Sequence, residues 1–109
     1  MIKNKGEKQM LTITKKTTDT VLTFLLDGRL DTTTAPQLET EIVDSLDGAD
    51  LLVLDFEKLE YISSAGLRVL LSAQKKISKE GGAMKVLHVN ETIREVFEMT
   101  GFADILTIE

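Results

Sequence analysis

The sequence contains no cysteine, no tryptophan and a single proline among its 109 residues. Because cysteine is absent, the chain can form neither a disulfide nor a thiolate metal site, and this composition fits a reducing cytoplasm. The core must be built from aliphatic side chains, with the four phenylalanines as its largest members. The longest apolar runs are far shorter than the ~20 residues of a membrane-spanning helix, so we expect no membrane span.

Acidic residues outnumber basic residues in the sequence, and histidine is scarce. The chain has 13 basic and 18 acidic residues, a net charge of −5, and one histidine, His88. An acidic chain lacks the basic surface of a nucleic-acid-binding protein, so we expect no direct contact with nucleic acid. A serine hydrolase needs a base held beside its nucleophile, and the Gly-x-Ser-x-Gly turn is absent around Ser64. We therefore predict that the protein is not an enzyme and has no catalytic residue.

The first ten residues differ in character from the rest of the chain. Residues 1–10 are polar and basic and contain no apolar segment, so they do not resemble a secretory signal. We expect a disordered leader there and one domain over residues 11–109, which is long enough for a single core. The predicted localisation is cytoplasmic.

Apolar patterns and turn residues divide residues 11–109 into strands and helices. The predicted order is β-β-α-β-α-β-α-β, an α/β fold whose mixed, mostly parallel sheet has about five strands. The strands are predicted over residues 11–14, 20–26, 50–56, 84–87 and 105–108. The first helix begins at Thr34, which forms a capping-box pattern with Gln37, and the third is bounded by Asn90 and Gly101. The apolar run over residues 51–54 predicts a central strand covered on both faces.

A polar segment joins that central strand to the second helix. The residues after Phe56 are interpreted as a short loop that ends at two adjacent serines, Ser63 and Ser64, where the helix begins. The first N–H groups of a helix lack partners within the helix, and the helix dipole is positive there. A serine at this point can therefore cap the helix, or carry a phosphate where an anion is tolerated.

Three segments of the sequence match those of a known family, in the same order and with the same spacing. They are Gly-Arg-Leu-Asp at 28–31, Tyr-Ile-Ser-Ser-Ala-Gly-Leu at 61–67, and Phe-Glu-Met-Thr-Gly-Phe at 97–102. Over roughly residues 11–109 the sequence thereby resembles the STAS domain, and within that group the bacterial anti-sigma factor antagonists. The resemblance implies the STAS fold.

The resemblance also implies a regulatory mechanism. In this family the unphosphorylated antagonist binds an anti-sigma factor that is also a serine kinase, and this frees a sigma factor for transcription. The kinase phosphorylates the antagonist, binding is lost, and a PP2C-type phosphatase resets the system. Alignment on Gly66 places the phosphorylated residue at Ser64, with Ser63 as the second choice. The implied partner-binding residues are Arg29, Asp31, Thr32, Ser63, Ser64, Gly66 and Arg68.

The sequence departs from the family pattern at two of these positions. Ser63 stands where the family has an aspartate, a change that affects recognition by a kinase. Arg29 stands where the family has an acid, a change that affects the choice of partner. An alternative therefore stays open, in which a STAS domain without a phosphorylation switch acts as a scaffold or as an accessory module for a lipid or other apolar ligand. For Gly66, close approach by a partner and tight packing on the neighbouring strand are equally good explanations.

The acidic residues near the serines do not predict a metal site. Asp55, Glu57 and Glu60 match the spacing of no metal-binding loop, so we interpret them as a solvated rim. His88 follows an apolar strand and is interpreted as structural. We expect no metal and no cofactor.

Overall fold

The computed structural model describes residues 11–109, and the leader predicted over residues 1–10 lies outside this range. The described residues form five strands and three helices in the predicted order. The elements are β1 (Leu11–Thr18), β2 (Val21–Leu30), α1 (Ala35–Ser45), β3 (Leu51–Ile62), α2 (Ser64–Lys79), β4 (Ala83–Leu87), α3 (Glu91–Thr100), a short 3-10 helix (Phe102–Asp104) and β5 (Thr107–Ile108). No helix between residues 11 and 109 is both long enough and apolar enough to cross a membrane.

The strands form one sheet in which the spatial order follows the sequence order. β1 is antiparallel to β2, and β2 to β5 run parallel, as predicted. Right-handed crossovers between successive parallel strands place α1, α2 and α3 on the same face of the sheet. On β2, the side chains of that face are buried (Leu22, Phe24 and Leu26), whereas their neighbours on the other face are half-buried.

β3 is the central strand, and its two faces are covered unequally. Leu52 and Leu54 are completely buried on the helical face. On the other face Val53 is buried but Leu51 is only half-buried, so the cover there is less complete than predicted. Phe56 lies 6.3 Å from Phe97 between ring centroids, and this contact holds α3 against β3.

β3 continues to Ile62, well beyond its predicted end, so the predicted polar loop before Ser63 is in fact a strand. The second half of β3 pairs with the end of β2, from Asp27 opposite Lys58 to Leu30 opposite Ile62. Two shifts of register interrupt this pairing, as β-bulges do. Because a bulge breaks the alternation of buried and exposed side chains, the sequence of this segment lacks the regular pattern of a strand and was interpreted as a loop.

The helix ends agree with prediction at α3 and differ at α1. Asn90 Oδ1 accepts a hydrogen bond at 2.8 Å from a backbone N–H in the first turn of α3, and Gly101 ends the helix with a left-handed φ of 82°. Thr34 does not cap α1 with its side chain, and Gln37 Nε2 donates instead to the backbone oxygen of Leu11 at 3.3 Å. The capping box predicted at Thr34 is therefore wrong, because the hydroxyl of Thr34 is used by the loop before the helix.

Candidate functional site

The two serines lie at the junction between β3 and α2. Ser63 is the N-cap of α2, and its Oγ accepts a hydrogen bond from the N–H of Gly66 at 3.4 Å. Ser64 is the first residue of the helix and is exposed. The Ser64 hydroxyl has no hydrogen-bond partner within residues 11–109. The two adjacent hydroxyls therefore differ, because Ser63 caps the helix while Ser64 is available to react.

The loop between β2 and α1 lies beside the serines, because the N–H of Ser63 donates to the carbonyl of Leu30 at 2.9 Å. Asp31 organises this loop. Its Oδ1 accepts hydrogen bonds from the hydroxyl of Thr33 at 2.8 Å and from the N–H groups of Thr33 and Thr34 at 3.0 and 3.2 Å. The Thr33 hydroxyl, helped by these N–H groups, holds the pKa of the Asp31 carboxyl below its ordinary value, against the opposing effect of burial. Asp31 thus presents an ionised carboxylate at the entry to α1.

Arg29 lies on the exposed surface beside the same loop. It is opposite Tyr61 in the sheet, and its guanidinium lies 4.5 Å from the centre of the Tyr61 ring. Arg29 Nε is 3.7 Å from Asp31 Oδ2, so the two groups form an ion pair. A guanidinium stacked on an aromatic ring is attracted to the face of the ring. The Arg29 guanidinium is therefore held between the ring of Tyr61 and the carboxylate of Asp31.

Gly66 is buried in the first turn of α2. A Cβ at this position would lie 2.8 Å from Ile62 Cγ1 and 2.8 Å from Leu30 Cγ, well inside the normal separation of non-bonded carbon atoms. The missing side chain lets α2 pack closely on the ends of β2 and β3. Of the two explanations considered for Gly66, the structure favours packing.

We expect Gly66→Ala to lower the free energy of unfolding by about 1–2 kcal/mol. Overpacking costs about 1–3 kcal/mol, and the better helix propensity of alanine returns up to ~1 kcal/mol. Urea denaturation measures the change. As a control, Ser72→Ala alters an exposed residue of the same helix and should stay within ~0.5 kcal/mol of the parent. A Gly66→Ala variant as stable as the parent would contradict the packing role.

A groove of about 520 Å³ separates α1 from α2 next to the serines. Thr32 lines it from the loop after β2, Glu39 from α1, and Arg68 and Lys75 from α2. Ser72 and apolar residues of both helices complete the lining. Two residues that the sequence predicted separately, Thr32 and Arg68, therefore face the same groove.

A second group of polar side chains lies where β4 ends beside β3. His88 Nδ1 is 2.9 Å from Asp55 Oδ1, and this hydrogen bond and the charge of Asp55 raise the pKa of His88, with a smaller effect from Glu57. The ligand atoms of Asp55, Glu57 and His88 all lie within 4.8 Å of one another, so these are the described residues that are placed to hold a metal ion. In the sequence the two carboxylates are grouped with Glu60, and their proximity to His88 is not predicted.

We expect the pKa of His88 to be higher in the parent than in the Asp55→Asn variant. His88 is the only histidine, so an NMR titration of the imidazole C–H signals reports on it alone. A raised folded-state pKa stabilises the fold below the unfolded-state value of ~6.5, and this contribution is lost as the pH rises through the folded-state pKa. The difference in thermal midpoint between the two proteins should therefore narrow as the pH rises from ~6.5. Identical titration curves would contradict the pairing.

The sequence-predicted residues converge on one surface. Arg29 lies at the end of β2, and Asp31 and Thr32 follow the strand. Ser63 and Ser64 lie beside them at the start of α2, Gly66 packs underneath, and Arg68 lines the groove. Tyr61 and Lys75 also belong to this surface and were not among the residues predicted from the sequence. Tyr61 meets Arg29 only because of the register beyond the bulges. Lys75 follows Arg68 at a spacing of two helical turns, and that spacing is the signal that could have identified it.

Comparison with known proteins decides the family. The model of the STAS domain family matches residues 12–109. The chain belongs to the STAS domain family. This STAS domain is 38% identical over 91 residues to BtrV of Bordetella bronchiseptica, an alignment that covers 83% of this chain and 78% of BtrV. It is 33% identical over 82 residues to the anti-sigma-B factor antagonist of Bacillus subtilis, with 74% of each chain covered.

A solved structure agrees with the sequence relatives. The crystal structure of an anti-sigma factor antagonist from Mycobacterium paratuberculosis superposes with a TM-score of 0.80 and 28% identity, covering 90% of this chain and 84% of that one. The predicted STAS fold and the resemblance to anti-sigma factor antagonists are therefore confirmed. The family match includes both parts of the surface described above, the loop after β2 and the start of α2.

Proposed function

We propose that this STAS domain is an anti-sigma factor antagonist that uses the surface around Ser64 to bind an anti-sigma factor with serine kinase activity. In its unphosphorylated form it holds the anti-sigma factor and thereby frees a sigma factor for transcription. Phosphorylation of Ser64 by the bound kinase ends the interaction, and a PP2C-type phosphatase restores it. The relatives support the general role, because the Bacillus subtilis and Mycobacterium paratuberculosis proteins are both named anti-sigma factor antagonists.

The difference between the two serine hydroxyls carries the proposal. A kinase needs an accessible hydroxyl, and Ser64 is exposed with no partner in the described part of the chain. The hydroxyl of Ser63 is engaged with the N–H of Gly66. Transfer of a phosphate to Ser63 would use the Oγ that now accepts from Gly66, whereas transfer to Ser64 leaves this contact in place. Ser64 is therefore the better phosphate acceptor.

A phosphate on Ser64 changes the surface more than the fold. It adds a charge of about −1.5 to −2 at the first residue of α2. The helix dipole stabilises an anion there by ~0.3–1 kcal/mol, so α2 does not need to unfold. In an interface, in contrast, an unpaired and desolvated charge is strongly unfavourable. The switch therefore acts through local charge at the docking surface.

A phosphorylation assay tests the proposal. The protein is incubated with ATP and a purified anti-sigma factor kinase from the source organism, and phosphate is located by mass spectrometry. We expect one phosphate on the parent, none on Ser64→Ala and one on Ser63→Ala. Ser63→Ala is the matched control for the site of transfer, because it removes the neighbouring hydroxyl and keeps Ser64. Loss of the helix cap costs about 0.5–2 kcal/mol, so the fold is retained.

Two results would contradict the proposal in different ways. A phosphate mapped to Ser63 would keep the mechanism but assign it to the other hydroxyl. A complete lack of phosphate transfer, with a kinase that modifies its own cognate antagonist, would favour the alternative of a STAS scaffold without a phosphorylation switch.

A further inference from the structure

The helix α2 is the basic element of an acidic chain. It carries Arg68, Lys75, Lys76 and Lys79 and no acidic residue. The whole chain has 13 basic and 18 acidic residues, so the residues outside α2 carry a net charge of −9. A helix that concentrates positive charge beside the candidate site is complementary to an acidic partner surface.

Two of these four cations line the groove between α1 and α2. Arg68 and Lys75 are separated by two helical turns, so they lie on the same side of α2. Neither takes part in an ion pair or a side-chain hydrogen bond within the described part of the chain, although Glu39 lines the opposite wall. Apolar residues of both helices line the groove between these charges, together with the hydroxyls of Thr32 and Ser72. The groove therefore fits a segment that carries acidic side chains next to apolar ones.

Arg68 is also the neighbour of Ser64 along the helix. Residues that are four positions apart face each other on a helix surface, and an anion placed N-terminal to a cation is the favourable order. A phosphate on Ser64 can therefore pair with the guanidinium of Arg68 one turn further along. Charge-assisted pairs between arginine and phosphate are among the stronger hydrogen-bonded contacts in proteins.

We propose that a partner places an acidic segment in the groove against Arg68 and Lys75, and that a phosphate on Ser64 captures Arg68 and so withdraws it from that segment. The inference rests on the function proposed above and adds a physical route for the loss of binding. The phosphate then acts in two ways, because it repels the acidic segment and neutralises the cation that attracts it.

The first test is independent of any partner. Phosphoserine is installed at position 64 by genetic encoding, and its second pKa is measured by ³¹P NMR in the parent and in the Arg68→Gln and Lys79→Gln variants. Pairing with Arg68 should lower the phosphate pKa by a few tenths of a unit relative to Arg68→Gln, on the order expected for a helical ion pair. Lys79→Gln removes the same charge from the far end of the helix and should match the parent. Equal pKa values in all three proteins would overturn the capture of Arg68.

The second test measures affinity for the anti-sigma factor kinase with each protein in its unmodified and phosphorylated forms. Arg68→Gln should weaken binding of the unmodified protein about tenfold or more, and Lys79→Gln less than about threefold, as exposed charges outside a contact do. Phosphorylation should then reduce the affinity of Arg68→Gln by a smaller factor than it reduces the affinity of the parent. The inference would be overturned if phosphorylation reduced the affinity of Arg68→Gln and of the parent by the same factor, or if Arg68→Gln and Lys79→Gln bound with equal affinity. The proposed function would not be affected by either result. A parent that does not bind, or that keeps binding when phosphorylated, would overturn the proposed function and this inference with it.

Discussion

Phosphorylation of Ser64 should lower the affinity of this STAS domain for the anti-sigma factor at least about 100-fold while the fold stays unchanged. A factor of ten in affinity corresponds to ~1.4 kcal/mol. Leaving a charge without a partner in a desolvated contact costs about 3–5 kcal/mol, which is enough for a 100-fold loss of affinity. The fold is retained because the phosphate lies at the positive end of α2 and leaves the Ser63 cap and the buried Gly66 untouched.

Isothermal titration with the unmodified and the phosphorylated protein measures this loss. Circular dichroism and NMR spectra of the same samples check that the fold is retained. Ser64→Ala should bind like the unmodified parent, and Ser64→Asp should fall between the two forms because it adds one charge without the full volume of a phosphate. If the phosphorylated protein bound with unchanged affinity, or bound weakly because α2 had unfolded, a switch through local surface charge would be excluded.

The order of strands and helices could be predicted because most elements carry their own local signals. Asn90 and Gly101 mark the two ends of α3 by chemistry that depends on no distant residue, a side-chain cap and a left-handed backbone. The alternation on β2 and the turn after β1 likewise indicate an antiparallel pair without further information. These signals act within a few residues, and the sequence displays them directly.

The extension of β3 could not be predicted, because its cause lies in another strand. The pattern after Phe56 loses its alternation where the register with β2 shifts, and the sequence of β3 alone does not contain that register. The contact of Arg29 with Tyr61 depends on the same shift. Several residues of the surface around the serines could therefore be predicted from the sequence, but Tyr61, Lys75 and the geometry were not.

The different roles of the two serines could not be predicted from the sequence either. Spacing places Ser63 and Ser64 at the start of a helix and cannot assign the cap to one of them. The cap is decided by the backbone, since Ser63 has the extended conformation of an N-cap residue while Ser64 is already helical. The structure thus supplies the observation on which the choice of phosphate acceptor depends.

Thr34 is the buried polar side chain that joins this surface to the core. It is 5% exposed, and its hydroxyl accepts a hydrogen bond from the N–H of Asp31 at 2.9 Å and donates one to the carbonyl of Arg29 at 2.8 Å. The hydroxyl thus holds together the loop between β2 and α1, which carries Asp31 and Thr32, two of the partner-binding residues predicted from the sequence. Capping of α1 was the wrong role for Thr34, because this closure uses the oxygen that a cap would need.

We expect Thr34→Val to lower the free energy of unfolding by about 2–4 kcal/mol. Valine has nearly the same shape as threonine, but it removes the Thr34 partner of the part-buried N–H of Asp31 and of the part-buried carbonyl of Arg29. Because these groups are only part-buried, we expect the lower part of the ~1–3 kcal/mol range for each. Urea denaturation measures the loss, and faster hydrogen exchange at the Asp31 amide would place it in this loop. Thr34→Ser keeps the hydroxyl and removes one methyl group, so it should lose only about 1 kcal/mol. If valine and serine destabilised the protein equally, packing of the methyl group rather than the two hydrogen bonds would hold the loop in place beside Ser63 and Ser64.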